Sequence, residues 1–481
     1  MGRQLKYTFY VVSLLCLFFG ACLLAVLINQ PAIIFIPIGL MVGIWLLQNL
    51  QWLFFVLMVT IPWSTEFKFN PTLGTDLPDE PLMLLTALSV LIYCIANRKK
   101  ILLHKLHPLL FIISLQIVWI TVSVICSTDV LVSFKFSLAK GWFLLSFIGA
   151  PLILFLDEKQ IKRTAIAVAI SMFLLTCLAL VKHASYGFTF ARINDSLVPF
   201  FRNHVNYSAV LVFIIPLFAS FYPFVRSRGV KALLIFILII LTAAVYLSYA
   251  RGAWLALIIG VAAYWLLKKK ALFATFIAVI IACLSLVYWL QKNDNYLRFA
   301  HHYKTTIFHT NFEEHLVATY KLKDVSTAER FYRWIAGARM IKDRWQTGYG
   351  PNSFYENYKE YGIPAFRTWV SDNKDHSTVH NYFLLTFIEQ GLVGFVLVLL
   401  LFASFFWYAQ KIYHRIKDKF WKVVVATVTV IFSMVCTVNF LSDLIETDKI
   451  GSFFYICIAT LIVADMKSKK SNFPSHAQSI S

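Results

Sequence analysis

The chain has 481 residues and a formal net charge of +20, with 59% apolar and only 14% charged positions and a mean hydropathy of +0.71. A water-soluble globule carries roughly 25% charged residues, so this composition excludes that class and indicates an integral membrane protein. The surplus of Lys and Arg does not signal nucleic acid, because it is confined to short clusters between apolar stretches.

A spanning helix needs roughly 20 mostly apolar residues. The candidates centre on 9–28, 32–48, 50–63, 81–96, 108–126, 136–156, 164–181, 205–223, 232–250, 253–267, 271–290, 381–407, 422–439 and 450–464. The second and third are the weakest, squeezed between Pro31 and Trp63, so the expected fold is an all-α polytopic bundle of about 12–14 transmembrane helices. Basic residues gather near Arg98 and Lys99, Lys162 and Arg163, Arg226 and Arg228, Lys268 and Lys269, Lys417 and Lys419, and Lys467 and Lys469. Each cluster follows an even number of spans, which is the positive-inside bias and predicts cytoplasmic N- and C-termini.

Four parts follow from this count. Residues 1–290 hold about eleven helices, 291–379 form one large external loop with helical segments, 380–465 hold about three more helices, and 466–481 are a cytoplasmic tail. The loop has 13 Lys/Arg against 10 Asp/Glu and many aromatic residues, which predicts a folded lobe rather than a disordered tail. All eight cysteines fall inside predicted spans, so no disulfide is expected in the lobe. The first apolar segment lacks a small-residue cleavage site and reads as a retained helix.

Within the loop, Ser326-Thr327-Ala328-Glu329 has the form of a capping box opening a helix through about Asp343. Phe331, Trp334, Ile335, Ala338 and Ile341 recur at three- and four-residue spacing and give that helix an apolar face. Gly348-Tyr349-Gly350-Pro351-Asn352 reads as a turn, and His380 stands where the loop meets the next span. Arg251 lies in a short external turn between two apolar helices, either snorkelling to headgroups or serving as a functional charge at the membrane edge.

Arginine forks suit phosphate oxygens, and histidine exchanges a proton near neutral pH. Together they suit a phosphate-bearing lipid donor and an attacking hydroxyl. His376 and His380 are four apart beside Asp375, yet no HExxH or DxD-like cluster accompanies them, so no metal is expected. Ser377 is near both histidines without a nucleophile-elbow pattern. Asp324, Glu329 and Asp375 read either as partners of the site or as solvated surface.

Several motifs together carry a resemblance. Tyr249-Ala250-Arg251-Gly252-Ala253-Trp254, Glu329-Arg330-Phe331-Tyr332-Arg333-Trp334 with Gly348-Tyr349-Gly350-Pro351-Asn352-Ser353-Phe354, and His380-Asn381-Tyr382-Phe383-Leu384 with Glu389-Gln390-Gly391-Leu392-Val393-Gly394 resemble the O-antigen ligase and Wzy polymerase superfamily. The similarity covers the order and spacing of elements from about Asn203 to Ala403, including His204-Val205-Asn206-Tyr207-Ser208-Ala209.

The resemblance implies a bacterial inner-membrane glycosyltransferase whose loop is periplasmic and whose donor is a glycan on undecaprenyl pyrophosphate. The acceptor it implies is lipid A-core for a ligase, a second undecaprenyl-linked unit for a polymerase, or another glycan or protein. It further implies inversion without a metal or other cofactor, and catalytic roles for Arg251, Arg330 and His380. Arg333, Arg202 and Arg192 are further candidates for holding the donor, each with a bland reading beside it: a salt bridge to Glu329 for Arg333 and interface charge for the other two. Ala250 stands where serine is commoner, and the span count exceeds the roughly twelve usual for ligases, which keeps the polymerase reading open. A lipid-linked oligosaccharide transporter is the alternative from another class. It would place charges deep inside helices and show paired repeats, whereas the distinctive residues here crowd one face.

Overall fold

The computed structural model of the protein describes residues 47–70, 73–98, 107–293, 325–363 and 378–471, with isolated positions 20, 43, 45 and 295. The expected span 9–28, nearly all of 32–48, the end of the tail, and Asp324, Asp375, His376 and Ser377 lie outside the described residues.

Among the described residues, eleven helices are long and apolar enough to cross a bilayer. They are α2 (Asp79–Ala96), α3 (Pro108–Ile125), α4 (Val130–Leu154), α5 (Glu158–Ser185), α7 (His204–Phe221), α8 (Arg228–Leu247), α9 (Arg251–Lys268), α10 (Leu272–Gln291), α13 (Tyr382–Arg415), α14 (Lys419–Phe440) and α15 (Asp448–Ser471). Every span expected from 81 onward is matched by one of them, and the weak candidate 50–63 is a shorter helix, α1 (Leu50–Thr60), closed by a 3-10 turn at Pro62. The protein is thus a predominantly helical, multi-pass membrane protein. Helix α11 (Val325–Asp343) and the short helices α6 (Ile193–Leu197) and α12 (Phe354–Asn357) complete the set of α-helices among the described residues.

One element departs from the all-α expectation. Thr65–Asn70 (β1) and Leu73–Leu77 (β2) form an antiparallel hairpin that sets Glu66 opposite Asp76 and Phe67 opposite Thr75. In a link between two spans, a hairpin satisfies its own backbone groups where they leave the apolar phase.

Contacts between distant segments define the two ends of the bundle. At one end Lys419 Nζ donates to Pro223 O at 3.0 Å, Trp421 Nε1 donates to Glu158 Oε1 at 2.8 Å, and Arg415 pairs with Asp465. This is the end that carries the basic clusters. At the other, Thr128 N–H donates to Tyr349 O at 2.9 Å, Tyr249 Oη to Phe188 O at 2.6 Å, and Lys449 Nζ to Ser64 O at 2.9 Å. The core between them is aromatic: Phe402, Phe405, Phe432 and Phe454 are all buried, and the rings of Phe405 and Phe432 stack at 3.6 Å. Burial falls from 83% of the α15 span to 6% of the α10 span, so α15 is central and α10 faces outward.

Helix α13 is interrupted at Gly391, whose φ of 66° and ψ of −168° leave the helical region. A break inside a spanning helix frees carbonyls that lipid cannot satisfy. The Gly348–Asn352 turn supplies the missing donors, with Tyr349 N–H on Ile388 O at 3.0 Å and Gly350 N–H on Glu389 O at 2.8 Å. Trp119 Nε1 reaches Gln390 O at 2.7 Å, and Leu392 N–H closes on Trp345 O at 2.8 Å. The glycines are dictated by this docking. A Cβ on Gly391 would overlap Gln346 O, and one on Gly348 would overlap the Glu389 backbone, with φ positive at both. Gly391→Ala is therefore expected to lower the thermal unfolding midpoint by several degrees and reduce folded yield. Gly141→Ala, in α4 with nothing within 4 Å, should leave both unchanged in the same detergent-stability assay.

Candidate active site

Helix α11 rests on the start of α13 and is bound to the lobe by a small core of its own: Tyr332, Ala336, Met340, Tyr349, Phe354, Tyr358, Val379, Leu385 and Ile388. The buried stripe therefore runs through Ala328, Tyr332, Ala336 and Met340, while Phe331, Trp334, Ile335, Ala338 and Ile341, the face expected from hydropathy, are only partly buried. The physical reason is that the stripe also buries an ion pair. Arg333 is 0% exposed and its Nε donates to Glu329 Oε1 at 2.8 Å. The α11 helix begins at Val325, one residue before the expected cap, the side chain of Ser326 lies outside the described ones, and Glu329 holds Arg333.

The same guanidinium fixes the segment leading to His380. Arg333 Nη1 donates to Thr378 O at 2.8 Å, and Trp334 Nε1 donates to Val379 O at 3.0 Å. On the far side of the histidine, Asn381 caps α13 by accepting from Leu384 N–H at 2.9 Å, and its Nδ2 donates to Phe440 O at 2.9 Å. Pinned on both flanks, His380 adopts φ 54°, a left-handed conformation that a non-glycine residue holds only where the surroundings enforce it.

Arg330 and Arg333 both act on this imidazole. Burial, then the Arg330 charge, then the Arg333 charge push His380 down from its ordinary value to about 3. The ring is neutral across the physiological range, presenting one donor and one acceptor nitrogen.

Arg251 reaches the same locality through α14. The start of α9 lies against the 441–443 turn, a Cβ on Gly252 falling 3.5 Å from Leu441 Cδ1. That turn also receives Tyr382 N–H on Ser442 O at 3.0 Å, and Asp443 accepts a hydrogen bond from the Thr378 side chain. Arg251 is the first residue of α9, after an Ala250 whose N–H donates to Ser248 Oγ at 3.4 Å and which offers no side-chain cap. The first N–H groups of α9 and the Arg251 side chain thus share one helix terminus, the electropositive end of the helix dipole.

Arg192 and Arg202 are placed differently. Both are exposed, Arg192 pairing with Asp195 at 2.9 Å and Arg202 with Glu66 of the hairpin at 3.5 Å. The structure brings Arg330, Arg333 and His380 together and sets the Arg251 turn at the same end, but it gives these two arginines carboxylate partners of their own.

Residues behind the histidine escaped the sequence reading. Asp443 faces Thr378 and Arg333, and burial raises its carboxyl above the usual range. Glu446 binds Lys140 Nζ at 2.8 Å, tying α4 to the α14–α15 connection. The available signal was the run Asp443-Leu444-Ile445-Glu446-Thr447-Asp448, three carboxylates in a short turn at the arginine-bearing end.

Replacing Arg333 with Met removes the guanidinium from the buried Glu329 carboxylate in the lobe core. That should cost about 3–5 kcal/mol and be read as loss of monodisperse protein on size exclusion. Adding Glu329→Leu to Arg333→Met should recover most of the folded protein, because both charges then leave together.

No curated protein matches the chain at a significant level. Residues 235–399, which include Arg251, Arg330, Arg333 and His380 but neither Arg192 nor Arg202, match the protein-family model described as O-antigen ligase.

Proposed function

We propose that the protein is an O-antigen ligase-like glycosyltransferase that moves a glycan from a polyprenyl diphosphate to an acceptor hydroxyl. The observation that carries this reading is a neutral, backbone-pinned His380 lying under the charges of Arg330 and Arg333. The Arg251 helix start at the same 441–443 turn adds a further cation and the electropositive end of a helix dipole. Such a constellation fits a phosphate leaving group on one side and a proton acceptor on the other.

In the proposed reaction the acceptor oxygen attacks the anomeric carbon as the bond from that carbon to the diphosphate oxygen breaks, with inversion. The hydroxyl proton passes to His380. Arg251 and Arg330 take up the charge that develops on the departing diphosphate, and no metal is required. Arg333 positions His380 through Thr378 and adds to the field. Arg192 and Arg202 are assigned to the rim of the donor's approach. The donor we infer is undecaprenyl-pyrophosphate-linked and the acceptor lipid A-core or a related surface acceptor. Transfer to a second prenyl-linked repeat unit would make the protein a polymerase with the same machinery. The basic clusters at the opposite end of the bundle favour a bacterial inner-membrane orientation with that end and both termini cytoplasmic and the His380 end periplasmic.

His380 is a weak proton acceptor while the Arg330 and Arg333 charges act on it without a bound anion. A bound diphosphate would offset them and raise its basicity at the moment a base is needed. The acid limb of kcat/KM, which reports the free enzyme, should accordingly lie far below the ordinary histidine value and toward 3. The limb of kcat, which reports the complex, should lie at higher pH; coincident limbs near 6.5 would contradict the assignment.

Three further measurements test the roles. His380→Ala should cut transfer by ~10²–10⁴ with protein level unchanged, and normal surface-glycan ladders in that mutant would remove His380 from the reaction. Arg251→Lys keeps the charge but loses the fork, so wild-type activity in it would mark Arg251 as a headgroup anchor. Product formed by purified protein from a prenyl-diphosphate glycan without any ion gradient would separate an enzyme from a lipid-linked oligosaccharide transporter.

A further inference from the structure

At the end of the bundle opposite His380, a cavity of about 450 Å³ lies between α5, α7, α8, α14 and α15. Its walls are apolar, with Phe155, Ile161, Leu217, Leu234 and Ile431 among them. Along α14 the lining runs from Phe420 to Ile431, about 16 Å at the helical rise, which is close to the depth of one leaflet of a roughly 30 Å hydrocarbon layer. Ile166 of α5 and Val230 of α8 belong to the lining and are each 45% exposed, so the cavity opens sideways between these helices. A slot of this length facing hydrocarbon admits an extended chain.

The charge at its mouth selects the headgroup. Lys162 is the one charged residue in the lining, and its Nζ lies 4.6 Å from the ring centre of Phe420, itself a wall residue. Lys419 Nζ donates to Pro223 O and sits 5.5 Å over Phe224, another wall residue. The carboxylates at this end are engaged elsewhere: Glu158 accepts from Trp421 Nε1, Asp157 from Lys159 N–H and Asp418 from Trp421 N–H. Among the described residues no carboxylate comes within ion-pair distance of Lys162 or Lys419.

We propose that this slot binds one acyl chain of an anionic glycerophospholipid from the leaflet at the basic end, with Lys162 and Lys419 holding its phosphate. The site is independent of the glycan-transfer reading. It would brace α5 and α8 against the central pair α14 and α15 where protein atoms leave a gap.

Full-length protein, stripped in mild detergent, can be titrated with phosphatidylglycerol or with phosphatidylethanolamine of identical chains and read by native mass spectrometry. Phosphatidylglycerol should bind about fivefold or more tightly, the contribution of one lysine near a lipid phosphate. Lys162→Gln combined with Lys419→Gln should bring the two lipids level, and Ala165→Trp, which fills the slot, should remove saturable binding of both. Should that variant elute as aggregate, Val424→Phe replaces it. Equal affinities in the wild type, unchanged phosphatidylglycerol binding in the filled variant, or a polyprenyl diphosphate as the lipid retained from cells would each overturn the proposal.

Discussion

A guanidinium group sealed from water costs several kcal/mol unless its charge and donors are met within the protein, and the arrangement around His380 follows from how this chain meets that demand at Arg333. Glu329, one helical turn earlier, supplies the counter-charge, and Thr378 supplies a carbonyl. Because Thr378 belongs to the segment entering α13, satisfying Arg333 also fixes the backbone two residues before the histidine, and Trp334 secures Val379 between them. The histidine is held through its neighbours' backbone. Its charge state is set first by burial and then by the Arg330 charge, and the guanidinium of Arg333 adds to the bias against a proton on the imidazole.

A second demand acts on the backbone. Breaking α13 at Gly391 redirects its first turns toward the lobe and exposes three carbonyls in succession, each then met by a donor from outside the helix. Two motifs separated by about forty residues along the chain are in this light one structural unit: the Gly348–Asn352 turn and the Glu389–Gly391 break are shaped to each other. The unit links the lobe to the α3–α4 turn and to α4 as well, because Ser127 Oγ donates to Tyr349 O and Ser133 Oγ to Pro351 O.

The spanning helices were legible from hydropathy alone, since a long uninterrupted apolar run has few alternatives in a chain of this composition. Basic clustering grouped the loops near Glu158, Pro223, Lys419 and Asp465, which contacts join at one end of the bundle. Elsewhere the reading failed for identifiable reasons. The buried stripe of α11 contains Glu329 and Arg333, so a search for apolar residues finds the neighbouring partly buried face instead. The hairpin carries an alternation in Glu66-Phe67-Lys68-Phe69 that a short inter-span link does not invite one to weigh. For the site, residue type and position relative to the spans raised Arg251 and His380 as candidates, and the family resemblance is what gave them and Arg330 catalytic roles. Their gathering at one end depends on contacts through Phe440, Ser442 and Thr378, which no local pattern encodes. The exposed ion pairs of Arg192 and Arg202 were equally invisible, because their partners are recognised only once the hairpin and α6 are in place.

The mutual fit of the Gly348–Asn352 turn and the broken helix bears on how such a protein can be built and diversified. Helix α13 follows the lobe in the chain, so the lobe emerges from synthesis before the carbonyls that its turn must engage exist in the membrane. Its final shape therefore waits on insertion of the last three helices. For the same reason the lobe cannot be shuffled between homologues as a cassette: a graft would have to carry the first half of α13 and the facing turns of α3 and α4 with it, and recombination that parts them should yield chains that insert but do not mature.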